Sequence, residues 1–170
     1  AQHHGIDPAK FDAKKYLSEH GHDIETNDAG LAQLPDIAPV YHVMRGETVS
    51  AIILPVYGKG LWSTMYGYVA IADDGNTIKG LTFYEHKETP GLGGEVDNPK
   101  FKAQWVGRQL FDENGTPAAM VYKGPAPADN PYAVDGLSGA TLTSRGVANL
   151  VQYWLGDSAF GPLLKELGNS

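Results

Sequence analysis

The stretch Trp62-Ser63-Thr64-Met65-Tyr66-Gly67-Tyr68-Val69-Ala70-Ile71-Ala72 runs into Asp73-Asp74-Gly75-Asn76 and then into Thr77-Ile78-Lys79-Gly80-Leu81-Thr82-Phe83-Tyr84. Its two arms mix aromatic, β-branched and small residues, and the second alternates in polarity with the period of a half-buried strand. The four residues between them form a strong hairpin turn, because Gly and Asn tolerate positive φ there. The two arms are therefore expected to pair antiparallel. Upstream, Gly58-Lys59-Gly60 reads as a loop, residues 48–57 are rich in Val, Ile and Leu, Arg45-Gly46-Glu47 reads as a turn, and residues 40–44 are apolar. A meander of four strands follows from this order, and such a sheet is a common scaffold for sites carried on loops.

Downstream of the meander the chain changes character. Residues 87–97 are dense in glycine and include Glu88-Thr89-Pro90-Gly91-Leu92-Gly93-Gly94-Glu95, a loop with a functional look. Asn98-Pro99 supplies a helix N-cap with proline at the first helical position. That helix is predicted to run to about Leu110 with Phe101, Trp105 and Leu110 inward. A turn at 112–116, a short strand over 118–123 and a loop over 124–130 come next. A helix is predicted from near Ser138 to about Leu155, since Leu142, Val147, Leu150, Val151 and Trp154 recur at helical spacing. A last short helix covers 161–167. Before the meander, residues 1–38 form a polar lead-in. A short helix over 12–20, with Phe11, Tyr16 and Leu17 on one face, ends at Gly21, and residues 28–39 read as irregular. The fold class is mixed α+β, an antiparallel β-sheet flanked by helices, with the functional domain spanning 39–170.

Composition limits what the domain can do. The chain has 170 residues, 42% hydrophobic, 19% charged and 10% aromatic, values that suit one folded domain rather than a disordered segment. Its formal charge is −7, and Lys and Arg do not form a stripe, so a nucleic acid is not an expected partner. There is no cysteine, which excludes iron–sulfur clusters, thiol redox chemistry and disulfides within the chain. No apolar run approaches the roughly 20 residues that span a bilayer. The chain opens on Ala1-Gln2-His3-His4 without Met, so it is read as an excised fragment whose residues 1–4 include part of a tag.

The most informative stretch is Asp135-Gly136-Leu137-Ser138-Gly139-Ala140-Thr141-Leu142-Thr143-Ser144. Small residues precede a helix start, so a bulky anion can approach free backbone N–H groups at the positive end of the helix. Ser138 is placed to cap that helix, and Thr141 and Thr143 add hydroxyls. From the residues alone, two readings stay open: a binding site for a phosphorylated ligand, or a plain Ser-capped helix after a turn.

The pattern Asp135-x-x-Ser138-Gly139-Ala140-Thr141 resembles the flavinylation motif of the FMN-binding domain family, and the match is complete over the motif. Members of that family serve the Na⁺-translocating NADH:quinone reductases and the related Rnf electron-transport complex. His86-Lys87-Glu88-Thr89-Pro90-Gly91-Leu92-Gly93 resembles the family's glycine-rich loop. Its continuation through Gly94-Glu95 to Asn98-Pro99-Lys100-Phe101 favours the reductase branch over the corresponding flavin-carrying member of Rnf. The resemblance covers about residues 39–155.

What the resemblance implies is specific. A flavin transferase is expected to cleave FAD and join the FMN phosphate to the Thr141 hydroxyl. Gly136, Ser138, Gly139 and Ala140 form the small-residue recognition loop, and Asp135 orients that loop or contacts the transferase. Trp62, Glu88, Thr89, Gly91, Leu92, Gly93, Leu142 and Thr143 are expected around the cofactor: Trp62 at the ring edge, Glu88 toward the ribityl chain, Leu92 and Leu142 as apolar walls. Lys123, and with less weight Arg145, are expected to reach the phosphate. Over forty residues separate the two motifs, so the fold must bring both loops to one sheet edge. The implied role is electron relay in a reductase complex of the bacterial inner membrane, on its periplasmic side. The other subunits of the complex are its partners, and an N-terminal membrane helix, absent from this sequence, is its anchor. The domain alone is expected to show no NADH oxidation, because no strand–GxGxxG–helix unit is present. Noncovalent binding of a phosphorylated ligand at the same helix end is the alternative, as is a flavin domain from a larger soluble reductase.

Other polar features have plainer readings. His3, His4, His20 and His22 lack the spacing of a metal-ligand set. His42 and His86 are single, and Asp73 and Asp74 belong to the hairpin turn.

Overall fold

The structure, a computed structural model, describes residues 12–169; Phe11 and the His3 and His4 positions lie outside them. Its elements in chain order are α1 (Ala13–His20), β1 (Gly21–Asp23), β2 (Gln33–Pro35), β3 (Tyr41–Arg45), β4 (Thr48–Lys59), β5 (Thr64–Ala72) and β6 (Ile78–Glu85). A 3₁₀ turn (Gly93–Asp97) leads to α2 (Pro99–Gln104), β7 (Met120–Val121), β8 (Ala133–Val134), α3 (Thr141–Leu155) and α4 (Gly161–Gly168). The main sheet has the order β3-β4-β5-β6 with every neighbour antiparallel, which is the meander read from the sequence. Helices flank it, so the α+β expectation holds.

Alternation on the three long strands makes the core. Ile52, Leu54 and Val56 of β4, Met65, Val69 and Ile71 of β5, and Leu81 and Phe83 of β6 are buried. They share one core with Val147, Leu150, Val151 and Trp154 of α3. Trp154 Nε1 also donates to the Tyr57 carbonyl at 2.6 Å, fixing the C-terminal half of α3 to β4. The intervening positions carry tyrosines whose rings adjoin: Tyr57 and Tyr66 stack at 5.6 Å, Tyr66 and Tyr84 lie 6.3 Å apart, and Tyr84 and Tyr68 lie 5.3 Å apart. Helix α1 reaches this row, with Lys14 Nζ 4.3 Å from the Tyr66 ring centroid. Asp12 caps α1 by accepting the N–H groups of Lys14 and Lys15.

In the β5–β6 hairpin Gly75 takes positive φ, at +68°, whereas Asn76 does not. The Asn76 side-chain carbonyl instead accepts the N–H groups of Leu110 and Phe111 at 3.0 and 2.8 Å, anchoring the segment beyond α2. Asp74 closes the turn by accepting the N–H groups of Asn76 and Thr77.

Several elements differ from the sequence-based expectation. Residues 28–39 are not wholly irregular: β2 pairs antiparallel with β1, and Ala29 and Leu31 enter the core. Lys59 N–H donates to the Ala29 carbonyl, so this part of the lead-in packs on the end of β4. Helix α2 stops at Gln104 rather than near Leu110. Gly107, at φ +84°, turns the chain, and its N–H donates to the Ile78 carbonyl while Ile78 N–H donates to the Arg108 carbonyl. Phe101, Trp105 and Leu110 are buried all the same. The strand expected over 118–123 is only Met120–Val121, and it pairs parallel with β8, a partner too short to show a period.

Candidate functional site

Three segments meet at one end of the sheet: the loop between β4 and β5 that carries Leu61, Trp62 and Ser63, the glycine-rich loop after β6, and the start of α3. Glu88 joins them. It is 5% exposed. Its Oε2 accepts the Leu61 N–H at 3.1 Å and the Thr143 hydroxyl at 2.6 Å; its Oε1 accepts the N–H groups of Trp62 and Ser63 at 3.0 and 3.3 Å. Burial alone pushes the carboxyl group up. The Thr143 hydroxyl and the three backbone donors outweigh it and hold Glu88 below the ordinary carboxylate range. The Glu88 carboxylate takes four hydrogen bonds from two segments of the chain, and so it organises the loops.

Gly93 explains the closeness of this junction. A Cβ there would lie 2.5 Å from Thr143 Oγ1 and 2.9 Å from Glu88 Oε2, so only glycine lets the glycine-rich loop lie against α3. The two motifs thus converge as the sequence requires. Lys87 N–H donates to Ser63 Oγ at 2.8 Å, adding a second tie between the loops. His86 Nδ1 accepts the Glu88 N–H at 3.2 Å, and its Nε2 lies 2.8 Å from Asp97 Oδ2 on the 3₁₀ turn.

The start of α3 corrects the expected cap. The helix begins at Thr141, its N-cap is Ala140, and no side chain caps it. Leu137 to Ala140 make a turn of their own, closed by Ala140 N–H to the Leu137 carbonyl, with Gly139 at φ +69°. That turn leaves Ser138 exposed and too far upstream to reach the first-turn N–H groups. Ser144 takes part from the other side: its Oγ accepts the Leu137 N–H at 2.9 Å. The first-turn donors of α3 therefore lack a side-chain acceptor, the condition that favours an anion.

Beside this terminus lies a cavity of about 180 Å³, lined by Tyr122, Lys123, Leu137, Thr141 and Arg145 among others. Thr141 is exposed. Neither Lys123 nor Arg145 hydrogen-bonds or pairs with a described residue. Asp135 shapes the rim: its Oδ1 accepts the Ala126 N–H at 2.8 Å, and its own N–H donates to Gln104 Oε1 at 2.8 Å. It holds the loop over 124–130 against the motif. Gly136 permits the close approach of this rim to β7, since a Cβ there would lie 2.2 Å from the Tyr122 carbonyl oxygen.

The apolar candidates are strongly exposed. Trp62 is 68% exposed, outside the sheet core, and Leu142 is 53% exposed, off the buried stripe of α3 on which its spacing had placed it. Leu92 and Leu61 are 44% and 41% exposed. Leu92 lies over the motif turn, its Cδ2 3.0 Å from a Cβ built on Gly139. Thr89 and Gly91 are exposed on the same loop, and the Thr89 carbonyl accepts the N–H groups of Leu92 and Gly94. Exposed apolar side chains grouped beside a polar, cationic cavity mark a ligand surface. Leu61, Ser63, Gln104, Tyr122 and Ser144 were missed by sequence reasoning. Only Ser144 carried a signal, its place within the motif.

Among the histidines, His22 Nδ1 pairs with Asp36 Oδ1 at 2.8 Å and His20 packs on the Tyr16 ring. No helix among the described residues is long and apolar enough to cross a membrane.

An exposed threonine at an uncapped helix start, two cations without partners among the described residues and exposed apolar side chains on the neighbouring loops suit a ligand-binding domain. Residues 60–156 match the family model described as FMN-binding domain, which spans both motifs. The chain belongs to the FMN-binding domain family. Its likeness within that family is to NqrC, a component of Na⁺-translocating NADH-quinone reductases. It is 48% identical over 167 residues to that component from Yersinia pestis, covering 95% of this chain and 62% of the relative. It is 49% identical over 167 residues to that from Vibrio parahaemolyticus, covering 96% and 64%. The chain thus spans less than two thirds of these relatives. The crystal structure of Shewanella oneidensis NqrC superimposes with a TM-score of 0.88 at 38% identity, covering 95% of this chain and 76% of that one.

Proposed function

We propose that the chain carries FMN covalently, with the phosphate esterified to Thr141 Oγ1, and relays electrons as the flavin domain of a Na⁺-translocating NADH:quinone reductase. The observation that carries this reading is the placement of Thr141: exposed at an uncapped helix start, in a cavity with Lys123 and Arg145, with the exposed Leu142 next in sequence and the exposed Leu92 over the Gly139 turn. These residues fit the group. Two cations and the first-turn N–H groups of α3 suit a phosphate, and the apolar side chains suit a flat ring.

Bound FMN supplies the electron-carrying chemistry. The chain's own residues bind and orient it. Attachment needs Thr141 Oγ1 to lose its proton and bond to phosphorus as the pyrophosphate of FAD breaks and AMP leaves. Among the described residues no carboxylate or histidine lines the Thr141 cavity, so an external flavin transferase, with Mg²⁺ to neutralise the pyrophosphate, supplies the activation. Ser138 and Gly139 present an exposed, small-residue turn to that enzyme, Ala140 is buried beneath it, and Asp135 holds the neighbouring rim in place. The open cavity and the exposed Trp62 leave the ring accessible to partner proteins of the complex, as a carrier requires. NADH oxidation and quinone reduction belong to those other components, in a complex of the bacterial inner membrane with this domain on the periplasmic side. The relatives named above support the reductase over the Rnf complex.

The test is the intact mass, in denaturant, of the protein co-expressed with a flavin transferase, beside its Thr141→Val variant. The wild type is expected to gain one FMN less one water and the variant nothing. A wild type with polypeptide mass alone, despite an active transferase, sinks the covalent reading, and flavin released on denaturation leaves noncovalent binding in its place.

A further inference from the structure

We propose that Glu88 sets the redox poise of the site: its carboxylate is a buried negative charge without a countercharge, and it holds down the midpoint potential of the flavin bound beside it. This rests on the FMN-carrier reading above.

Three backbone donors that cannot accept a proton favour the charged form over a neutral acid, whose proton would have only the Thr143 hydroxyl to meet. Oε1 faces two backbone donors, and Oε2 faces a backbone donor and the Thr143 hydroxyl. A carboxylic acid proton on Oε1 would point at an N–H group that cannot accept it. No described lysine, arginine or histidine forms an ion pair with Glu88. The adjacent His86 forms no ion pair with Glu88: its Nδ1 accepts the Glu88 N–H and its Nε2 lies against Asp97. Asp97 pairs with Lys102, at 3.5 Å, on the far side of that histidine. The carboxylate is thus satisfied by neutral dipoles alone, and at 5% exposure little water screens it.

Its position aims that charge at the ligand surface. Glu88 bonds the Trp62 backbone, bonds the side chain next to Leu142, and lies against Gly93, the neighbour of Leu92. A ring held by Trp62, Leu92 and Leu142 would rest on the segments that the Glu88 carboxylate ties together. Adding electrons to that ring beside a fixed negative charge is disfavoured, so its potential falls. A loop clasp made of neutral groups would tie the same segments together without this effect.

The experiment compares the wild type with Glu88→Gln and Thr143→Val, each co-expressed with the transferase. Covalent occupancy is read by intact mass, and the midpoint potential by spectroelectrochemical titration. Glu88→Gln is expected to raise the potential, by roughly tenfold or more in the oxidised-to-reduced ratio at a fixed applied potential. Thr143→Val keeps the charge and removes a donor that offsets it, so its potential stays level or falls. A Glu88→Gln potential at or below that of the wild type overturns the proposal, as does a rise in Thr143→Val, which would mean that loosening of the loops moves the potential. If Glu88→Gln fails to fold, Thr143→Val decides: level or lower upholds the proposal and higher overturns it. A wild type without the mass adduct sinks the carrier reading and this proposal together. An adduct with an unmoved Glu88→Gln potential sinks this proposal alone.

Discussion

Thr143 Oγ1 donates a 2.6 Å hydrogen bond to Glu88 Oε2 across 55 positions of sequence, and this one bond closes the glycine-rich loop onto the start of α3. Both residues are buried, so the donor cannot be replaced by water without rearrangement. Thr143→Val is expected to lower stability by roughly 1.5–3 kcal/mol, the range for a hydrogen bond to a charged group. Urea unfolding at neutral pH checks this, and a loss below a few tenths would refute it. The pH dependence follows from the direction of the Glu88 shift. Its folded-state pKa lies below the unfolded value, so its contribution is complete above the unfolded pKa and drains away as pH falls through the folded one. The Thr143→Val variant should lose less stability over that acid range than the wild type does.

Lys123 and Arg145 line the Thr141 cavity without partners of their own among the described residues. Both are exposed, so each is expected to contribute no more than about 1 kcal/mol toward an anion. Lys123→Met and Arg145→Met should each slow flavin attachment several-fold, and the double variant more, with little change in unfolding midpoint. The fraction of protein carrying the mass adduct at a fixed, early time measures this. Equal fractions in all four proteins would remove the two cations from the site.

The rim of that cavity depends on Gly136. A Cβ there would lie 2.2 Å from the Tyr122 carbonyl oxygen, a backbone atom that cannot swing away. Gly136→Ala is expected to cost about 1–3 kcal/mol through overpacking and to disturb the Gly136 N–H bond to the Gly124 carbonyl. Hydrogen exchange should show faster exchange at Gly136 and at Ala126, whose N–H is held by Asp135. An alanine variant with wild-type stability would mean that β7 and the motif can move apart freely.

The meander was legible because its strands are long enough to show alternation and its hairpin carries Asp74 and Gly75. The small ribbon of β1 and β2 and the β7–β8 pair were not, since two or three residues carry no period. Ser138 as a cap failed for a related reason: cap residue types signal a nearby helix start, but the turn closed from Ala140 to Leu137 shifted that start by three residues. At the site, Glu88 was visible as a residue of interest, yet nothing in the sequence shows that a carboxylate will be buried by the N–H groups of a distant loop. Leu142 stands five residues before Val147, well round the helix from the face on which Val147, Val151 and Trp154 are buried, so its place in the apolar series did not put it in the core. Trp62 was expected at the ring edge, and its exposure on the β4–β5 loop keeps it out of the sheet core.

The tyrosines on the sheet give the last prediction. Burial, then the neighbouring tyrosines Tyr66 and Tyr153, pushes Tyr57 well above its ordinary value. Burial, then Tyr68 and Glu85, pushes Tyr84 up to about 12. Burial also raises Tyr41 and Tyr153. Each of these groups binds its proton more tightly in the folded chain than in the unfolded one. Their contribution is therefore complete below the unfolded tyrosine pKa, near 10, and is lost as pH rises through the folded values. The domain should accordingly unfold on the alkaline side with cooperative release of several phenolic protons. Tyrosinate absorbance should rise together with loss of far-ultraviolet circular dichroism. Tyr57→Phe removes a buried hydroxyl that has no hydrogen-bond partner among the described residues, so it should move the alkaline transition to higher pH while leaving the ring stacked on Tyr66 and Trp154. A Tyr57→Phe domain that unfolds at the same alkaline pH as the wild type would show that the tyrosine row titrates without coupling to the fold.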